Sequence, residues 1–342
     1  VLEREGQANV ALASVAIDPD RMDVRLPDLG LSLNRVTKTY ENETVFDYFS
    51  VTSDRLLVDE SAVDAIVKAL PDGTVTPVMT YLANAIERVD ESGKPLDTVP
   101  YSTITAIDSS ASLPLDYAVP DGSGDAIPIV LNSWAAEQLN AVEGMPVKVA
   151  YFEPEVENGD EIERTFAAVV SQIVPITEPA RRYIRDRPAV FDKRPTLYND
   201  PDLTPTVPGV TDQDSIRDWD LPFQLTRDID RVDDVYWNNH RLTPKAFIPL
   251  AEGKRLFGSR FGETTGLRIA PSAAADLDAL RQTILAATKP ILPELGWQPR
   301  SIRDAQLAAS KGTTPFDGLF LALSFFVIFA AVMLIAMLFR LG

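Results

Sequence analysis

The chain has 342 residues, 45% of them hydrophobic, and a formal net charge of -18 from 32 Lys and Arg against 50 Asp and Glu. This length is enough for two domains or subdomains with separate cores. The acidic balance argues against binding to nucleic acid or to anionic lipid headgroups, because both need clustered Lys and Arg. The chain has no cysteine, which excludes disulfides and thiolate metal sites.

The first third of the sequence predicts strands around one helix. Asp59 is the expected N-cap of a helix whose apolar face runs from Ala62 to Leu70, and Pro71 follows as its stop. Five further segments are rich in β-forming residues between turn residues and are predicted to be strands: 10–17, 29–33, 44–51, 75–89 and 101–107.

A second block predicts a strand, a capped helix and a hairpin. Ile129–Leu131 is a short apolar strand, and either Asn132 or Ser133 can cap the helix that follows. Val147–Phe152 and Glu163–Val174 then predict two antiparallel neighbours joined across an acidic connection.

The segment from Pro175 to Thr243 is rich in Pro and Asp and shows little periodicity, so it predicts a functional loop or a surface excursion. Regular structure is expected to resume after it. Ser272 is the expected cap of a helix that Pro290 ends. The other elements expected in this part are strands at 245–250 and 264–269 and helices at 252–257 and 301–309.

The sequence lacks the motifs that would predict catalysis. Gly93-Lys94 and Gly253-Lys254 are not followed by the Ser or Thr of a phosphate-binding loop, so we expect no ATP hydrolysis by this chain. His240 is the only histidine, and no Gly-x-Ser-x-Gly motif accompanies it. We therefore interpret His240 as a surface or structural residue and predict no catalytic or cofactor-binding residue.

Two acidic clusters are candidates for a calcium site. Calcium needs six or more converging oxygens, but the spacing here does not match the EF-hand loop. Helix caps, turns and solvated faces explain such carboxylates more simply, so we predict no metal ligand. The clusters are Asp212, Asp214, Asp218 and Asp220, and then Asp228, Asp230, Asp233 and Asp234.

The end of the chain predicts a transmembrane helix. Gly318–Phe339 is an apolar run whose only polar side chain is Ser324. About 22 residues at ~1.5 Å each cross the ~30 Å hydrocarbon core of a bilayer. Arg340 follows directly, and basic residues favour the cytoplasmic side, so we expect an outside domain and an inside C-terminus.

Two stretches together resemble the extracytoplasmic core domain of MacB/FtsX-like ABC transporter permeases. The first is PIVLNSWAAEQLNAVEGMPVKVAYF, a strand, an Asn-capped helix, a Gly turn and a strand. The second is TPKAFIPLAEGKRLFGSRFGETTGLRIAPSAAADLDALRQTILAAT, a strand ending in Pro-Leu, a short helix, a strand and a further helix. The run TTPFDGLFLALSFFVIFAAVMLIAMLFRLG is similar to the transmembrane helix that follows this domain in the family.

The resemblance implies an α+β fold: a two-lobed MacB-like periplasmic core domain of mixed strand-helix-strand units over residues 1–315, then a transmembrane helix over 316–342. Residues 175–243 are then an insertion. The implied function is a non-catalytic permease subunit in the inner (plasma) membrane. Its outer domain would couple ATP hydrolysis to mechanical export or extraction of a lipoprotein, lipid, peptide or drug. The implied partners are a separate cytoplasmic ATPase, a second permease copy and the bilayer.

Two other classes of function stay open from the residues alone. A single-pass anchored binding or adhesion domain would use the C-terminal helix only as a tether, and its gene would stop near Gly342. A membrane-bound hydrolase would depend on His240. The permease interpretation instead predicts further apolar spans downstream and a neighbouring gene for the ATPase.

Overall fold

The computed structural model describes residues 23–90, 92–120, 124–155, 161–184, 187–221, 223–297, 301–310 and 316–341. These residues divide into two compact units, one with the described residues up to Trp297 and the other from Ser301 onward. The strand predicted at 10–17 lies outside the described residues.

The first unit contains nine strands among its described residues: β1 Leu31–Tyr40, β2 Glu43–Ser53, β3 Val75–Val89, β4 Pro95–Ala106, β5 Ile127–Asn132, β6 Pro146–Phe152, β7 Glu163–Val174, β8 Ala246–Ile248 and β9 Gly266–Ile269. The helices of the two units are α1 Glu60–Ala69, α2 Ser133–Gln138, α3 Arg231–His240, α4 Leu250–Phe257, α5 Leu277–Thr288, α6 Ile302–Ser310 and α7 Phe316–Leu341. This mixture confirms the predicted α+β class.

Six strands form a closed barrel, an arrangement that the sequence analysis did not predict. Their order is β3-β4-β8-β5-β7-β6, and β6 pairs back to β3. The β4–β8 and β5–β7 pairs are parallel, and the others are antiparallel. Closure leaves these strands without a free edge around the barrel.

The barrel is built from two successive halves of the chain that have the same topology. Strands β3, β4 and β5 lead into α2, and strands β6, β7 and β8 lead into α4. If β3, β4 and β5 are exchanged with β6, β7 and β8, every pairing is reproduced. The hairpin β3–β4 becomes β6–β7, and the parallel pair β4–β8 becomes β7–β5. The barrel therefore has an internal two-fold pattern that the sequence did not reveal as a repeat.

Strand β3 also belongs to an extension of the sheet beyond the barrel. Val75–Val78 pair with β9, whereas Ala83–Arg88 pair with β6 inside the barrel. The order β1-β2-β9 continues outward from β3. One face of the extension is apolar and packs on α1 and α5 through residues such as Val51, Leu267 and Ile66. We call β1, β2 and β9 the extension.

Local sequence features position the helices around this sheet. The Asn132 side chain accepts a hydrogen bond of 2.8 Å from Ala135 N, so of the two expected caps Asn132 is the one that starts α2. Asp59 caps α1 as predicted. The expected cap at Ser272 is wrong, because Pro271–Ala273 form a 3-10 turn and Asp276 caps α5 instead.

The segment 175–243 contains a helix that the sequence analysis missed. Asp230 and Asp233 exchange hydrogen bonds at the N-terminus of α3, which forms a capping box. Tyr236, Trp237 and His240 are buried on one side of α3. The buried side is aromatic and polar rather than aliphatic, so it does not produce the periodic signal expected of an amphipathic helix. The segment packs against the barrel and is not a free surface excursion.

Candidate functional site

The second unit contains the feature with the clearest functional meaning, the helix α7. The most apolar 18-residue stretch of Gly318–Leu341 has a mean hydropathy of 2.9, and none of that stretch is buried against protein. The 24 residues of Gly318–Leu341 extend about 36 Å, which is enough to cross a bilayer core of ~30 Å. Within the described part of the chain this is the one helix with that length and composition. The predicted apolar helix is confirmed.

In the first unit, a short part of the Pro/Asp-rich segment is fixed at both ends outside the extension and contacts the extension in between. We call Tyr198–Thr204 the strap. On the barrel side the Tyr198 hydroxyl donates to Pro114 O at 2.6 Å, and its ring lies edge-on to Phe247. The Thr204 hydroxyl donates to Leu242 O at 2.9 Å. Both ends of the strap are therefore fixed to residues outside the extension.

The middle of the strap is bound to the sheet by buried polar contacts. The Tyr48 hydroxyl of β2 donates to Asp200 Oδ2 at 2.9 Å, and Asp202 N donates to Asp200 Oδ1 at 3.1 Å. The Thr80 hydroxyl of β3 donates to Leu203 O at 2.9 Å. Asp200 is fully buried, so the strap places a carboxyl group under the sheet where water does not reach it.

A buried arginine faces this carboxyl group. Arg268 is 6% exposed, and its guanidinium lies 4.2 Å from the centre of the Tyr48 ring. Its Nη1 has no hydrogen-bond partner among the residues that the structure describes. The side chain lines a small cavity beside Ser50 and Asp202, with room for about one water molecule. A buried cation without a bonded carboxylate is costly, so the strap interface is charged and imperfectly paired.

Burial makes Asp200 titrate far from its usual range. Burial and then the nearby Asp202 raise the pKa of Asp200, Arg268 and the Tyr48 hydroxyl oppose the shift, and the resulting pKa is about 7. Burial also raises the pKa of Asp202, against the influence of Lys38 on β1. The contact between strap and extension therefore changes its charge near neutral pH.

A second buried cation, Lys245, directly precedes β8. Lys245 Nζ donates to Pro100 O at 3.0 Å and to Tyr101 O at 3.4 Å, and it lies over the rings of Trp134 and Tyr236. Burial lowers its pKa to about 8. Tyr101 has a φ of 39°, which is unusual for a residue with a side chain. Lys245 thus stabilises an irregular position within strand β4.

His240 has a structural environment, as interpreted from the sequence. Its side chain is 2% exposed, its Nε2 lies 3.0 Å from Glu178 Oε1, and its ring packs against Tyr236. The neighbouring Asn239 side chain also donates to Glu178. These contacts attach α3 to the chain that leads into the basic segment described below.

In the second of the two acidic clusters considered for calcium, three carboxylates accept hydrogen bonds from backbone and hydroxyl groups, and in the first cluster Asp214 lies 3.8 Å from Arg241. Asp230 and Asp233 form the capping box of α3. Asp234 Oδ1 accepts from the Ser215 hydroxyl at 2.9 Å and from Ile216 N at 3.1 Å. In the described ranges, no three His, Asp or Glu side chains are grouped closely enough to hold a metal ion.

The sequence analysis did not identify a basic segment. Residues 180–195 contain six Lys and Arg and two Asp, so this stretch is positive in a chain whose net charge is -18. The whole-chain charge concealed it, although a count in short windows would have found it. Most of the described residues of this segment are exposed and lie beside β1 and α3.

Comparison with known proteins does not assign the chain to a family. No protein-family model matches it, and no curated protein matches it either. Its function is therefore argued from its own residues: a helix able to span a membrane, a closed barrel, and a sheet extension held to that barrel by a charged strap.

Proposed function

We propose that this chain is the outer domain and following membrane helix of an ABC transporter permease of the MacB/FtsX-like type. The observation that carries the proposal is α7, whose apolar span Gly318–Leu341 has 24 residues and follows a large α+β unit. Such a helix tethers the unit to a membrane. The basic residue Arg340 at its end favours a cytoplasmic C-terminus, which would leave the α+β unit outside the inner (plasma) membrane.

The stretches that resemble the permease family support the proposal. One corresponds to β5, α2 and β6, and the other to β8, α4, β9 and α5. The strand and helix that begin each stretch occupy equivalent places in the two-fold pattern of the barrel. The two stretches thus contain three of the six barrel strands, β5, β6 and β8, and in the family such a domain is moved by the membrane helices.

The proposed mechanism is mechanical. A separate cytoplasmic ATPase would hydrolyse ATP and move the membrane helices, and a second permease copy would complete the pore-free assembly. The moving parts in this chain are the barrel and the extension, which share β3 and are held together by the strap. The cargo class follows from the resemblance: a lipoprotein, lipid, peptide or drug at the outer surface.

Orientation is tested with single cysteines, because the chain has none of its own. Val142→Cys, at a side chain that is 57% exposed in the first unit, and Leu341→Cys, at the end of α7, report on opposite sides. In intact cells we expect a membrane-impermeant maleimide to label Val142→Cys and not Leu341→Cys. The reverse pattern would contradict an outside domain.

The transport role is tested on the full protein in its native membrane. We expect an ATPase with a phosphate-binding loop to co-purify after mild solubilisation. Spin labels at Val67→Cys on α1 and Leu96→Cys on the β3–β4 hairpin would then report the distance between extension and barrel. ATP should change that distance, whereas an ATPase variant unable to hydrolyse ATP should not. Absence of an associated ATPase would leave an anchored binding or adhesion domain.

A further inference from the structure

The basic segment forms a defined surface structure. Arg181 and Val190 exchange two backbone hydrogen bonds of 3.1 and 2.9 Å, and Ile184 and Arg187 exchange another two of 3.1 and 2.9 Å. These bonds make two antiparallel arms. We call residues 181–184 and 187–194 the basic finger.

The inner side of the basic finger is fixed to the rest of the unit. Tyr183 N donates to Asn238 O on α3 at 2.9 Å. The Tyr40 hydroxyl of β1 donates to Asp192 O at 2.8 Å, and Lys38 Nζ lies 4.7 Å from the centre of the Phe191 ring. The backbone is thus held from both α3 and β1, which fixes the direction in which the finger faces.

The outer side presents cations that are not used within the unit. Arg181, Arg182, Arg187 and Lys193 are exposed and form no ion pair with any residue in the described ranges. Elsewhere arginines pair readily with acids, and even Arg194 at the end of the finger pairs with Glu43 at 3.0 Å. In a chain with 50 acidic residues, four neighbouring cations that form no ion pair with a described residue are a distinct feature.

Apolar side chains accompany these cations. Ile184 is 54% exposed between Arg182 and Arg187, and Val190 is 42% exposed on the opposite arm. Alternating basic and branched apolar groups match the boundary between lipid headgroups and acyl chains, where the cations contact phosphate and the apolar groups enter below it. An ordinary solvated surface does not require the exposed aliphatic residues.

We infer that the basic finger is a docking surface for anionic lipid headgroups of the bilayer that α7 enters. Charge complementarity selects the lipid, and the span in the same chain keeps a bilayer at high effective concentration. The inference rests on the membrane-anchored part of the proposed function and not on the ATPase. Docking would hold the first unit against the membrane surface through a second attachment besides α7.

The test uses the full chain in lipid nanodiscs, with an environment-sensitive fluorophore on Ile184→Cys. Discs contain phosphatidylcholine alone or with phosphatidylglycerol. We expect a blue shift of emission only with phosphatidylglycerol, and its loss at high salt. The same fluorophore on Val142→Cys, at a similarly exposed site away from the finger, should not respond.

Charge variants separate the finger from the net charge of the chain. Arg181→Glu, Arg182→Glu and Arg187→Glu together should abolish the shift. Arg55→Glu, Lys68→Glu and Lys94→Glu change the charge equally at exposed sites elsewhere and should preserve it. Identical emission in both lipid compositions would overturn the inference, as would a shift produced by an acidic peptide but not by lipid.

Retention in the disc is a separate readout of α7. If the chain leaves the disc but still shows the blue shift with phosphatidylglycerol vesicles, the result would contradict the membrane span of α7 and support lipid docking by the basic finger. If the chain stays in the disc but shows no blue shift, the result would support the membrane span and contradict lipid docking by the basic finger. The two proposals therefore fail in different ways.

Discussion

The barrel and the strap interface are both buried, but different forces hold them. The barrel core contains aliphatic and aromatic residues such as Ile104, Leu131 and Phe257, each 0–1% exposed. The strap interface contains Asp200 and Arg268 at similar burial. Apolar burial does not depend on pH, whereas a buried carboxyl group does. The comparison suggests that the barrel is a fixed body and the strap an adjustable attachment.

The largest effect is expected from Phe257→Ala in the barrel. Phe257 is stacked on Tyr81 at 4.6 Å and lies edge-on to Tyr151 at 5.3 Å, so truncation removes the centre of an aromatic cluster. The free energy of unfolding should fall by about 3–5 kcal/mol. Denaturant unfolding of the full chain in detergent measures it, with Phe257→Leu as the milder control. Equal losses for both variants would contradict the cavity argument.

A pH effect of a few kcal/mol should appear at the strap and not in the barrel. The pKa of Asp200 is about 7 in the folded state against 3.8 as a reference, so the folded state binds the proton more tightly. Stability contributed by this group is highest below pH 4 and falls by roughly 1.4 kcal/mol per pH unit up to pH 7.

The control for this pH effect is Asp200→Asn, which stays neutral and should lack that slope. Subtracting its unfolding curve removes the acids whose pKa is lowered, such as Asp47 and Glu178, which act in the opposite direction. If stability instead rose with pH relative to the variant, Arg268 would outweigh burial and the interface would be a true ion pair.

A smaller loss of about 1–2 kcal/mol is expected for Tyr48→Phe. The change removes the hydroxyl that donates to Asp200 and leaves a buried oxygen without that partner. Native-state hydrogen exchange should accelerate at the amides of β2 and β9 and stay unchanged at β4 and β8. Equal acceleration in all four strands would mean that the strap and the barrel unfold as one unit.

The smallest effect, about 1 kcal/mol, is expected for Asp230→Ala at the start of α3. The variant removes one half of the capping box, while the buried aromatic side of α3 keeps its contacts. Thermal unfolding of the full chain measures the loss, and Asp212→Ala is the matched control in the same acidic region. A larger loss of unfolding free energy for Asp230→Ala than for Tyr48→Phe would mean that the cap of α3 contributes more to stability than the strap contact at Tyr48.

Some of this structure could be predicted from the sequence because the signals were local. Asn132 and Asp59 cap their helices through hydrogen bonds within the same turn. The helix α7 could be predicted because its apolar residues form a long continuous run. Barrel closure depends instead on pairs such as Ile104 with Ala246, whose partners lie far apart in the chain. Arg268 is similar, because nothing near it in sequence indicates that the strap covers it.

The basic finger shows another limit of sequence reasoning. The total charge argued against contact with anionic lipid, but residues 180–195 taken separately carry six Lys and Arg against two Asp. Electrostatic attraction at a surface depends on charges within about a Debye length and not on the whole chain. Such patches should be sought in short windows before a class of ligand is excluded.

The position of β8 has a consequence for how the protein is made. Its three residues, Ala246–Ile248, fill the gap between β4 and β5, which are completed more than 100 residues earlier. Until β8 leaves the ribosome, the edges of β4 and β5 that pair with it are unpaired, and exposed strand edges promote aggregation. We therefore expect folding of this domain to be slow and to require protection during synthesis, with the final closure set by its shortest strand.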